Sequence, residues 1–114
     1  MILAVLGGVE IYSLFHGGGH KSALMDSSHD QFIDLMFWGE LHYSLGDLAG
    51  AFHSYQASLA VIRDLVDSDP SNAVWQSELS VSLHKLGDVL LEQGDLLGAL
   101  QSYEAECVNR FETL

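Results

Sequence analysis

Cationic side chains are scarce in this chain: four Lys plus Arg stand against sixteen Asp plus Glu, a formal net charge of -12 at pH 7. So negative a surface repels a phosphate backbone and an anionic bilayer, which removes nucleic acid and membranes from the expected partners. Cysteine is limited to Cys107. One thiol makes neither an internal disulfide nor a zinc site by itself, so a reducing cytoplasm is the expected setting. Long hydrophobic runs are missing too. Residues 1–6 and 9–15 are apolar, but Gly7-Gly8 and Glu10 interrupt them. They are too short to span a bilayer, and they lack the basic start and small-residue cleavage site of a secretory signal. What remains is 114 residues, 48% of them hydrophobic, enough for one small domain with a core.

Proline occurs once and glycine eleven times, and the glycines recur in register. At an offset of 48 residues, 46–57 (GDLAGAFHSYQA) aligns with 94–105 (GDLLGALQSYEA), with eight of twelve positions identical. The match extends backwards through Leu35 over Leu83, Trp38 over Leu86, Gly39 over Gly87 and Glu40 over Asp88. Around these anchors the apolar residues Leu79, Leu83, Leu86 and Leu90 recur at steps of three and four, a helical stripe. Gly46-Asp47 and Gly94-Asp95 then punctuate: glycine takes the left-handed conformation that ends one helix, and aspartate accepts the free amides that begin the next. Asp69-Pro70-Ser71-Asn72 is a second stop and restart, with Asp69 or Asn72 as cap and Pro70 tolerated in the first turn. The pattern predicts helices over roughly 29–45, 48–66, 72–93 and 96–111. Cys107 falls on a small-residue position of the last helix and is expected to be buried.

Leu83-x2-Leu86-Gly87-x2-Leu90 followed by Ala99-x3-Tyr103, and Leu35-x2-Trp38-Gly39-x2-His42 followed by Ala51-x3-Tyr55 and Pro70, resemble the tetratricopeptide repeat, in its long-repeat bacterial form. Two departures accompany the likeness: the period is 48 rather than about 34 residues, and His42 stands where an aromatic or leucine is usual. The resemblance implies an all-α fold of helical hairpins stacked into a short right-handed solenoid. It assigns 29–70 to a first repeat and 71–114 to a second, cut short where its last helix would run on, with 1–28 an irregular extension outside the repeat. About three units are normally needed for a stable array, so a fragment of a longer repeat protein, or self-association through the C-terminal helix, is the accompanying expectation.

Three chemical readings attach to His16-Gly17-Gly18-Gly19-His20-Lys21-Ser22. A phosphate loop fails, because His20 separates the last glycine from Lys21-Ser22. The oxyanion loop of an esterase needs a Gly-x-Ser-x-Gly turn, which the chain lacks. Metal binding by His16, His20 and His29 with Asp26 or Asp30 is the third, but glycines between the first two leave them unheld. A linker is the expectation, with no metal, no cofactor and no catalytic set.

In the resembled family the first helix of each hairpin lines a concave face. Carried over position by position, its partner-binding residues would be Ile33, Met36, Glu40 and Tyr43, then Val81, His84, Asp88 and Leu91. The expected function is thus non-enzymatic: a scaffold that presents an acidic and apolar face to a protein or peptide, basic or amphipathic in character. The alternative is a structural packing segment with no ligand of its own. A partner carboxylate would call for Lys and Arg on this face, and only Lys85 is near.

Overall fold

A computed structural model describes residues 24–112, with side chains over 27–110. Over that span the chain is all-helical: α1 (Leu24–Ser44), α2 (Leu48–Ser68), α3 (Ala73–Glu92) and α4 (Leu96–Glu112), with no strand among the described residues.

The two short turns are built alike. Gly46 and Gly94 have φ of 80° and 87°, a region that strains any residue with a Cβ. At the end of α1, Gly46 N–H donates to the Tyr43 carbonyl (3.0 Å) and Asp47 N–H to that of His42 (2.8 Å). Gly94 to Leu91 (3.1 Å) and Asp95 to Leu90 (2.9 Å) close α3 in the same way, which is the Schellman pattern. Each aspartate then opens the next helix, its carboxylate accepting from Gly50 or Gly98 N–H at 2.9 Å. Two residues therefore finish one helix and start another, and the chain doubles back.

The longer link differs from expectation in one detail. Asn72 caps α3, accepting from Trp75 N–H at 3.0 Å, while Asp69 closes α2 through its own N–H. Because the cap lies at 72, Pro70 falls in the turn before the helix, where its carbonyl accepts from Gln76 Nε2 at 3.0 Å. The start of α1 differs as well: it begins at Leu24, ahead of the expected 29. Five residues on, His29 lies 2.7 Å from Glu78 of α3 and stacks against Phe32 and Trp75. The rest of the N-terminal segment, with His16 and His20, lies outside the described residues.

Consecutive helices pack on one another, α1 on α2, α2 on α3 and α3 on α4. Side chains also tie α1 to α3: His29 to Glu78, Met36 to Ser82, Glu40 to Lys85 and Tyr43 to Glu92. Residue numbers rise together along both helices, so α1 and α3 run parallel. The core gathers Phe32, Tyr55, Leu59, Ile62, Leu65, Leu79, Leu83, Leu86 and Val89. Ile62 and Val89 are fully enclosed, and burial of such a side chain contributes about 1.5–3 kcal/mol. Cys107, expected inside, is exposed: α4 turns Ala99, Ser102 and Glu106 inward, and position 107 lies off that stripe.

Within each hairpin a tyrosine ring rests on a glycine. A Cβ added to Gly39 would stand 2.5 Å from Tyr55 Cδ1, and one on Gly87 would stand 2.8 Å from Tyr103 Cδ1. Both distances are far inside van der Waals contact. Gly39→Ala and Gly87→Ala are therefore predicted to lower the chemical-denaturation midpoint: overpacking costs about 1–3 kcal/mol, more than the roughly 1 kcal/mol that alanine adds in helix propensity. An unchanged or raised midpoint would mean that the rings do not rest there.

Candidate interaction face

The parallel pair α1 and α3 carries all eight residues expected to bind a partner. Ile33, Val81 and Leu91 are apolar and 46%, 40% and 48% exposed. Phe37, one turn beyond Ile33, is 63% exposed. It was not among the expected residues, although its spacing of four from Ile33 was the available signal. Met36 is turned inward, where its Sδ accepts from Ser58 Oγ (3.2 Å) and Ser82 Oγ (3.5 Å). The two hydroxyls lie 3.3 Å apart, and both serines are buried. Met36 thus joins α1, α2 and α3 and offers little to a partner.

Glu40, Asp88 and Tyr43 form the polar part of this face, with Glu92 added by the fold. Phenols serve two of these carboxylates, Tyr103 donating to Asp88 at 2.5 Å and Tyr43 to Glu92, and the charge of Glu40 lies close to Tyr55. Donation to a carboxylate favours the protonated phenol. The hydrogen bond to Glu92, then burial, pushes Tyr43 up to about 12, and the bond to Asp88, then burial, pushes Tyr103 up to about 12. Tyr55 is raised first by burial and then by the charge of Glu40. Two basic side chains meet these acids. Lys85 bridges to Glu40 across the helices, and His84 lies 3.5 Å from Asp88 and 3.0 Å from Glu106 of α4. Arg110 also holds Glu106, at 2.7 Å. Glu92 and Glu106 were missed because sequence spacing identifies equivalent residues in the two repeats, not the neighbours that packing creates.

Elsewhere, His42 reaches the cap of α2, its Nδ1 2.9 Å from Asp47 Oδ2. The Gly50 N–H, and secondarily His42, holds the Asp47 carboxyl below the usual carboxylate range. Among the described residues no three His, Cys, Asp or Glu side chains are grouped to hold a metal ion, and no helix is long and apolar enough to cross a membrane.

No protein-family model matches the chain, and no curated protein or solved structure matches it.

Folding raises the phenol pKa values, so their contribution to stability is present below pH 10 and is lost as pH rises through about 12. Alkaline titration followed by phenolate absorbance should accordingly show Tyr43 and Tyr103 ionising well above the ordinary tyrosine, with stability falling over the same window. Tyr103→Phe should reduce that alkaline loss. A normal titration for both residues would remove the phenol–carboxylate pairs.

Proposed function

We propose that this chain is a non-catalytic protein-interaction module of tetratricopeptide type, whose hairpins stack in the right-handed sense and whose α1–α3 face receives a peptide or protein. The parallel pairing of α1 with α3 carries this reading, because it aligns Ile33, Phe37, Val81 and Leu91 with Glu40, Asp88 and Glu92 on neighbouring helices. Exposed apolar side chains beside fixed charges are the ingredients of a recognition surface. The glycine–tyrosine contacts and buried Ala51 and Ala99 support the kinship.

The other reading, a packing segment inside a longer array, draws on Leu96, Leu97, Leu100 and Val108, which are exposed on α4. A comparison of the repeats weighs against it. Met36, Ser58, Leu59 and Ile62 sit in or against the core where α3 covers the first hairpin. At the offset of 48 their counterparts are His84, Glu106, Cys107 and Arg110. A third hairpin stacked in the same manner would have to bury an ionic cluster where the second buried methionine, serine, leucine and isoleucine, and desolvating such charges is costly.

Photo-crosslinking from single benzophenone side chains tests the assignment in cells that make the protein. Positions 33, 81 and 91 should give protein adducts whose yield falls when Asp88 and Glu92 are neutralised, and position 64 on α2 should give none. Adducts confined to positions 97 and 108 on α4, unaffected by Asp88 or Glu92, would overturn it.

A further inference from the structure

The α1–α3 face has a direction, and it selects the chemistry of its occupant. Because the helices are parallel, both N-terminal halves lie at one end and both C-terminal halves at the other. Along that direction Ile33, Phe37 and Val81 come before Glu40, Asp88, Tyr43 and Glu92, while Leu91, also exposed, lies beside Glu92. Asp88, Tyr43 and Glu92 lie toward the C-terminal end, where the negative ends of both helix dipoles also fall. Charge compensation is uneven along this axis. Glu40 in the middle has Lys85, Asp88 shares His84 with Glu106, and Glu92 is met by the neutral Tyr43 phenol. Of these three acids Glu92, at the C-terminal end, is the one met by no basic side chain among the described residues.

We infer that the occupant is an amphipathic helix carrying Lys or Arg at one end of its contact stripe and apolar residues at the other, with the basic end over Asp88 and Glu92 and the apolar end over Ile33, Phe37 and Val81. This rests on the reading of α1–α3 as an interaction face. Charge complementarity selects basic residues: three carboxylates face one lysine and one histidine, in a chain of net charge -12. Backbone chemistry selects the helix. An extended strand would bring unpaired N–H and C=O groups against helices whose own backbones are already satisfied, whereas a helix arrives with its backbone bonds made. Ten residues separate Ile33 from Tyr43, about 15 Å of helix, so anchors and basic residues should sit about three turns apart. Lys85 then acts as a specificity-determining residue. By neutralising Glu40 it directs the incoming cation to the Asp88–Glu92 end.

The test uses the full chain and labelled synthetic peptides of about 18 residues, five helical turns. One has leucines along one end of its helical stripe and lysines along the other, and companions carry Glu, or Gln, in place of Lys. Fluorescence anisotropy should show the lysine peptide binding at least about tenfold more tightly than the glutamine peptide, with the glutamate peptide not binding. The preference should be lost toward about 0.5 M salt, where screening falls below about 5 Å. Asp88→Asn with Glu92→Gln should weaken the lysine peptide about tenfold, and Lys85→Gln should tighten it. Asp64→Asn with Asp67→Asn on α2 should leave it within about twofold, with thermal midpoints confirming that all variants fold. If the glutamine peptide binds as tightly and Ile33→Ser still abolishes binding, the interaction face stands and its basic preference falls. If no peptide binds, or if the α1–α3 variants change nothing, both fall.

Discussion

A ring set on a residue without a side chain governs this structure. Tyr55 lies on Gly39 and Tyr103 on Gly87, and these contacts fix how closely the two helices of each hairpin approach. They also decide where the phenol ends. The hydroxyl of Tyr103 reaches Asp88, the acid following its glycine in sequence, and Glu40 holds the same place beside Tyr55. Packing and site are consequently one device: the ring sets the spacing, and its oxygen holds a carboxylate of the α1–α3 face. Without the glycine the ring must move, and the acid loses its donor.

The repeats share this device but differ where they meet solvent or each other. Between hairpins the contact is made by Met36, Ser58 and Ser82, a small polar knot within an apolar core in which each hydroxyl has a partner. On the far side of the second hairpin the counterparts of Met36, Ser58 and Ile62 are His84, Glu106 and Arg110, with His84 and Arg110 both against the Glu106 carboxylate. One surface is suited to receive α3, and the other is suited to water. This contrast supports the proposal that the α1–α3 face, rather than the far side of the second hairpin, receives a partner.

Much of the fold was legible in the residues. Gly-Asp pairs located both tight turns, since glycine alone tolerates φ near 80° and aspartate alone there can cap the following amides. Helix periodicity located α2, α3 and α4 to within a few residues. The early start of α1 was not legible, and neither were the contacts of His29 with Glu78 and Trp75, residues more than forty positions away. Exposure of Cys107 was hidden for a related reason: the rotation of α4 is set by what it packs on. In the site, the offset of 48 identified Ile33 with Val81 and Tyr43 with Leu91 as equivalents. The contacts themselves join residues 45 to 49 apart, such as Glu40 with Lys85 and Tyr43 with Glu92, and only the geometry of parallel helices supplies those.

That parallel pairing is the claim on which the face, its direction and its occupant all depend. Nuclear Overhauser contacts between assigned side chains of α1 and α3 test it most directly. The structure predicts contacts from His29 to Trp75 at one end, from the Met36 methyl to Ser82 in the middle, and from the Tyr43 ring to Glu92 at the other. Contacts from His29 to the C-terminal turn of α3, or none between the two helices, would contradict it.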